Sequence, residues 1–335
     1  MAFEARRVLI LVDQKETSAR PNTRRSNLSE ERGARLIDPG LPAPNFFIVG
    51  AAKAGTTSLH AYLSQHPEVF MSALKEPHYF SSFEASPEFD NFMPVIRDSR
   101  AYQELFLGSE GYTAVGEASP SYLCDSDAAI RIRSAIPNSK IIISLRNPVQ
   151  RAYSQYLMDY NKGYVALPFG DALEADQART EKGWGVSFQY IEHGLYADQV
   201  ERYLNAFGRS KVMVILFEDL IRETAVVMQE VARFLDVDPA GFPESTFKRV
   251  HNSFEASRGK FARAILRCRP IRVWSKRWIP QSLRTAVRNR LLFTKREKPK
   301  LDEENRRLLA ERFAPDLRRL ERLLERDLGT LRENG

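Results

Sequence analysis

The chain has 335 residues, 43% apolar and 28% charged, which is ordinary for a globular protein and enough for one large α/β domain or two small ones. Its two cysteines, Cys124 and Cys268, make neither a disulfide framework nor a zinc or redox spacing, and no apolar run nears the roughly 20 residues of a membrane span. Secretion and a transmembrane helix are therefore not expected, a reducing cytoplasmic setting is, and the net charge of +7 is concentrated, because residues 258–300 hold fifteen Lys/Arg against one acid, Glu297.

Residues 1–44 are rich in Arg, Ser, Asn and Pro and end in Pro39-Gly40-Leu41-Pro42-Ala43-Pro44, the composition of a flexible arm and linker, although VLILV at 8–12 is of strand length. The remainder, 45–335, reads as a single domain. It opens with a buried strand over 46–49, a glycine-bounded loop over 50–57 and a helix over 58–65 that Pro67 stops. A strand feeding a small-residue loop that opens into a helix aims several backbone N–H groups and the positive helix end at one place, which suits an anion.

A short strand at 69–71 leads to the polar cluster Lys75-Glu76-Pro77-His78, and helical spacing follows over 98–107. A second buried strand, 112–115, runs into Gly116-Glu117-Ala118-Ser119-Pro120-Ser121-Tyr122, and a helix is expected over 126–135. The strongest strand is 140–145, a β-branched run of the kind buried in parallel sheets, and it ends in Arg146-Asn147-Pro148. Helices at 149–160, 196–207 and 225–235 surround a further strand at 212–217. This alternation predicts an α/β protein, a P-loop-like three-layer fold with a central parallel β-sheet flanked by helices and ligands at the carboxyl ends of the strands. A C-terminal helix over 302–328 carries leucines at three- and four-residue spacing, including Leu308, Leu309, Leu317 and Leu320, with a break expected at Ala314-Pro315-Asp316.

Against the triphosphate P-loop pattern GxxxxGK[ST], the 50–57 loop keeps Gly50, Gly55 and a hydroxyl at Thr57, but Thr56 stands where the lysine belongs and the lysine lies inside the loop, at Lys53. The order Lys53-Ala54-Gly55-Thr56-Thr57-Ser58, then Lys75 to Phe80, then Gly116 to Tyr122, then Arg146-Asn147-Pro148 with Arg151, Ser154 and Tyr156, resembles the sulfotransferases that use 3′-phosphoadenosine-5′-phosphosulfate (PAPS). It is most similar to the bacterial members and the heparan sulfate sulfotransferases, over roughly residues 45–236.

The resemblance implies sulfonate transfer from PAPS to a hydroxyl of a carbohydrate, glycolipid or other small acceptor, with 3′-phosphoadenosine 5′-phosphate (PAP) as product and no metal. It implies Glu76 as the base that takes the acceptor proton, and Lys53 beside the oxygen bridging sulfur and phosphorus. Ala54, Gly55, Thr56, Thr57 and Ser58 would hold the 5′-phosphate, and Arg146 and Ser154 the 3′-phosphate. His78 would pair with Glu76, share its proton or orient the acceptor, or else be a buried histidine satisfied by backbone. Arg151 would lie near the same phosphate or be a solvated mid-helix group, and Glu117 would be a site residue or an anchor for its loop. The heparan sulfate members carry a lysine where Ala118 stands, which argues against a heparan-like acceptor, and Arg258-Gly259-Lys260 is a substitute for their C-terminal phosphate loop.

The alternative is a P-loop nucleotide kinase or NTPase-like phosphotransferase, which expects a lysine at position 56 and an acid after a buried strand; Arg146 ends the best strand here. The acceptor pocket is expected from 84–93, 163–192 and the basic segment, with Trp184, Phe188 and Tyr190 suiting a sugar ring or a lipid. The basic segment itself would close over the nucleotide, attract an acidic glycan, lie on an anionic membrane through Trp274, Trp278 and Ile279 at the inner face of the membrane, or be a solvated surface. No nucleic-acid module accompanies the charge.

Overall fold

The computed structural model describes residues 37–82, 95–162, 164–176, 189–243, 246–247 and 299–333, together with the backbone of two short paired strands, Glu255–Ser257 and Phe293–Lys295. The expectations for residues 8–12, 84–93 and most of 258–300, including Arg258-Gly259-Lys260, and for Trp184, Phe188, Trp274, Trp278, Ile279 and Cys268, lie outside the described residues.

Five parallel strands form one sheet in the order β2-β3-β1-β4-β5, with β1 Phe46–Gly50, β2 Val69–Met71, β3 Ala114–Ala118, β4 Lys140–Leu145 and β5 Val212–Leu216. The side-chain period of two explains why the central strands are apolar throughout. On one face Phe47, Val49, Ile141, Ile143 and Leu145 pack against helix α7, Tyr196–Phe207. On the other, Phe46, Ile48 and Ile142 pack against α1, Thr56–Leu63, and α9, Thr224–Phe234. The result is the expected three-layer arrangement of helix, sheet and helix.

β3 begins two residues later than the 112–115 reading. Its register against β1, from Phe46↔Gly116 to Ile48↔Ala118, draws Gly116, Glu117 and Ala118 into the sheet and leaves Tyr112 exposed at the surface. Glu117 is thereby placed inside a β-sheet with no solvent exposure. Residues 37–44, at the end of the stretch read as linker, are pinned by one side chain, because Gln103 accepts from Asp38 N and donates to Asp38 O, both at 2.9 Å.

The C-terminal helix α10 spans Glu303–Leu324 and is followed by α11, Gly329–Glu333. The break expected at Ala314-Pro315-Asp316 does not occur. Phe313, Leu317 and Leu320 are buried along one face and hold both halves of the helix in line across Pro315. Asp316 has a further task, accepting from Tyr196 N at 2.6 Å and Ala197 N at 3.2 Å, so α10 caps the N-terminus of α7. Leu308 lies on the outer face and is half exposed, contrary to its place in the leucine pattern. The helix ends before 328 because Glu325 takes the left-handed conformation at φ 53°.

Gly116 pairs directly with Phe46 in the sheet, and a Cβ at Gly116 would lie 2.1 Å from the Phe46 ring. Gly116→Ala is expected to push β1 and β3 apart and cost about 1–3 kcal/mol. Urea unfolding would show it as a lowered midpoint with an unchanged slope.

Candidate active site

The carboxyl ends of β1, β3 and β4 meet at one place, and each contributes one loop. The loop after β1 is fixed by the strands beside it. Ala51 N donates to Ser144 O and the Ser144 hydroxyl donates to Ala54 O, both at 2.6 Å, so the one polar side chain buried within β4 ties down the loop. Arg146 adds a bond from Nη1 to Lys53 O at 3.1 Å.

These bonds take up the carbonyls of Lys53 and Ala54 and the N–H of Ala51, and leave the N–H groups from Gly55 to Ser58. Gly55 stands at the N-cap of α1 with φ 84°, which a side chain rarely adopts, and no side chain caps the helix. The N–H groups of Gly55, Thr56, Thr57 and Ser58 have no acceptor among the described residues, and they converge at the positive helix end. A cradle of this composition fits a phosphate. Thr56 is buried and Thr57 exposed. A Cβ at Gly55 would meet the Phe217 ring at 2.7 Å, and the same ring lies 4.8 Å beneath the Arg146 guanidinium.

Arg146 forms no ion pair among the described residues, although Glu218 is near enough to oppose the lowering that burial imposes on it. Its carbonyl accepts from the Tyr196 hydroxyl at 2.9 Å. Asn147 caps helix α5, Pro148–Asn161, by accepting from Gln150 N, while its own N–H donates to Glu218 and its amide to Leu331 O at 2.6 Å. Ser154 is half-buried on α5, one turn before Met158, whose sulfur lies 3.6 Å from Lys53 Nζ. Ser154 therefore shares the helix face that meets the loop. Burial, then the Lys162 ammonium, hold Lys53 below the ordinary lysine range, with Asp159 and Glu76 opposing them.

The segment carrying Glu76 and His78 crosses from β2 to the end of β3. Both residues are left-handed, at φ 64° and 53°, and both are pinned there: Glu76 N donates to Ala118 O at 3.0 Å and His78 N to Ser119 Oγ at 3.1 Å. Glu76 pairs with Lys75, and its Oε2 lies 3.8 Å from His78 Nε2. Burial raises the Glu76 carboxyl, but Lys75, with His78 and Lys162 behind it, outweighs burial and holds it below the usual range. His78 is 3% exposed, and burial pushes it down to about 4 against the pull of Glu76, so it is neutral at pH 7. The backbone-satisfied reading of His78 does not hold, since its ring meets side chains.

Two residues leave the site. Arg151 is fully buried, donating to Gln155 Oε1 at 2.5 Å and to Tyr190 O, so it is neither a phosphate ligand nor a solvated group. Tyr190 is a core residue bonded to Asp159 Oδ2 at 3.1 Å, which removes it from the acceptor surface. Glu117 lies buried beneath the site, facing the hydroxyls of Tyr122, Tyr102 and Ser119 without a well-aligned bond to any. Ser144, Phe217, Met158, Lys75 and Lys162 were not predicted as site residues. Ser144 was detectable as the lone hydroxyl in an apolar strand, and Met158 by counting one turn on from Ser154.

The sequence pattern of the Sulfotransferase domain family matches residues 43–264, well over half of the chain. The chain belongs to the sulfotransferase family. A crystal structure of a sulfotransferase from Alicyclobacillus acidocaldarius superimposes with a TM-score of 0.68 at 35% identity, covering 88% of this chain and all of that one. Among curated proteins, the membrane-associated sulfotransferase kil1 of Dictyostelium discoideum is 35% identical over 60% of this chain and 58% of its own length. The heparan sulfate glucosamine 3-O-sulfotransferase 6 of Mus musculus is 29% identical over 60% of this chain and 57% of its own. This sulfotransferase chain thus spans little more than half the length of those two relatives. Among the described residues no cluster of metal-ligating side chains occurs, and no helix is long and apolar enough to cross a membrane.

Burial pushes Glu117 up to about 8, against the hydroxyls that face it, from an ordinary value of 4.5. Between these values the folded chain keeps a proton that the unfolded chain releases, so this group's contribution is complete below the lower value and is lost as pH rises toward the upper. Urea unfolding at about pH 5.5 and 7.5 should show the wild type losing on the order of 2 kcal/mol relative to Glu117→Gln.

Proposed function

We propose that the chain transfers the sulfonate group of PAPS to a hydroxyl of a carbohydrate, glycolipid or other small acceptor, releasing PAP. The observation that carries the reading is the bond from Arg146 to the Lys53 carbonyl, which sets a guanidinium beside a cradle of N–H groups, with neither an ion-pair partner for the one nor an acceptor for the other among the described residues. Two adjacent sites for phosphate suit a nucleotide with phosphates at both the 5′ and 3′ positions. The phosphotransferase alternative fails on the same residues, because Thr56 replaces the P-loop lysine and β4 ends in an arginine rather than an acid.

When bound, PAPS supplies a sulfonate already activated as a mixed anhydride with phosphate. The chain's residues supply placement and charge. Gly55, Thr56, Thr57 and Ser58, with Ala54 holding the turn, would bind the 5′-phosphate, and Arg146 and Ser154 the 3′-phosphate. Lys53, whose charge is costly where it is buried, gains most from an anion beside Nζ. Glu76, kept ionised by Lys75, takes the proton of the acceptor hydroxyl at a carboxylate oxygen. No step asks for a metal.

The kil1 relative is named membrane-associated, and the fifteen cations of 258–300 would favour the anionic inner leaflet. Peripheral contact at the cytoplasmic face of the membrane is part of the same proposal, and co-sedimentation with anionic but not neutral vesicles tests it.

By calorimetry, the wild type is expected to bind PAP far more tightly than AMP without Mg²⁺; equal affinities would sink the assignment of Arg146 and Ser154. Glu76→Gln should keep PAP affinity and lose transfer of labelled sulfonate to cell extract by roughly a hundredfold or more. Full turnover in that variant would remove Glu76 as the base. Lys53→Ala should slow transfer as well, and an unchanged rate would show that Lys53 is no donor to the leaving group.

A further inference from the structure

The His78 ring sits in a chain of hydroxyls that ends inside the protein. Its Nδ1 is 2.7 Å from Ser121 Oγ, and Ser121 Oγ is 2.8 Å from Ser81 Oγ. Ser81, Ser121 and His78 are all nearly fully buried, so no solvent competes for these bonds. At the other end of the ring, Nε2 faces Glu76 Oε2 at 3.8 Å. Four bonds hold the geometry. Besides those to Ala118 O and Ser119 Oγ, Phe80 N donates to Tyr122 OH at 3.2 Å and Ser81 N to His78 O at 3.1 Å.

A neutral imidazole carries one proton and has two tautomers. With the proton on Nδ1, the ring would donate to Ser121 and turn the Nε2 lone pair toward a carboxylate, which is repulsive. With it on Nε2, every group in the chain points the same way: Ser81 O–H to Ser121, Ser121 O–H to Nδ1, and Nε2–H to Glu76. We propose that Ser121 is a positioning residue for the base, its hydroxyl donating to His78 Nδ1 and so fixing the tautomer whose Nε2–H is aimed at Glu76 Oε2.

The proposal rests on Glu76 acting as the base, and it narrows what His78 can do. In this tautomer Nε2 already holds its proton and has no lone pair to offer, so His78 cannot take a proton from Glu76 there. It orients Glu76 instead, facing Oε2 while Lys75 holds Oε1. The charged groups that face Glu76 are Lys75 beside it, Lys53 from the loop after β1 and Lys162 from the end of α5.

The test is ring-¹⁵N NMR of the full-length chain labelled at histidine, at about pH 7.5, with the His78 signals identified by their loss in His78→Asn. A pyridine-type Nδ1 and pyrrole-type Nε2 are expected in the wild type; the reverse pattern overturns the proposal. In Ser121→Ala the Nδ1 resonance should move while Nε2 changes less, PAP affinity should stay, and sulfonate transfer should fall roughly tenfold, less than the hundredfold or more that the positioned base itself contributes. Unchanged ring shifts and turnover in that variant would also overturn it. If Ser121→Ala does not fold, Ser81→Ala tests the same chain one bond earlier, with a smaller Nδ1 shift expected and no shift counting against the proposal. A wild type that transfers no sulfonate to any extract component defeats the functional reading alone, because the tautomer is measured without turnover.

Discussion

A single hydrogen bond, from the guanidinium at the end of β4 to the carbonyl of Lys53, organises the loop after β1. With the Ser144 hydroxyl it takes up the carbonyls of Lys53 and Ala54 just before the N–H groups of Gly55 to Ser58, so the cradle is set before any anion arrives. The order β3-β1-β4 makes this possible, since it seats the loop between the two strands whose ends also carry the site. Preorganisation here is a matter of which backbone groups have already been satisfied.

The site also separates two carboxyls by environment. Glu76, beside Lys75, is held ionised, whereas Glu117, inside β3 with only hydroxyls around it, is held neutral. The first can accept a proton and the second cannot. A neutral Glu117 next to the hydroxyls of Tyr102 and Tyr122 keeps the floor of the site free of a second negative charge, which would weaken both the ionisation of Glu76 and the binding of a phosphate.

Much of this was legible in the sequence because the relevant signals are local. The run at 140–145 could only be a buried strand, and Lys53, Glu76 and Arg146 stand in short motifs at strand ends, where a doubly wound sheet puts its ligands. What was not legible depends on tertiary contacts. Besides Gln155 one turn on, nothing around Arg151 marks a mid-helix arginine as buried, since the carbonyl of Tyr190 that it also donates to is 39 residues away. Pro315 reads as a helix breaker until Phe313 and Leu317 are seen to pack on both sides of it. Phe217 gives no sign that its ring will lie under Arg146, because the two meet only when β4 and β5 pair. The placement of β3 failed for a related reason, as register against β1 overrode the local apolar pattern.

The cap that Asp316 places on α7 reaches further than the helix it closes. Tyr196, whose N–H Asp316 receives, sends its hydroxyl to the carbonyl of Arg146, and Arg146 holds Lys53. Three successive contacts thus connect a residue beyond the 264 limit of the family match to the lysine of the anion cradle. The boundary of a recognisable family segment is therefore not the boundary of its working unit, and a piece of this chain cut at that limit would keep every motif residue while losing the brace that sets their spacing.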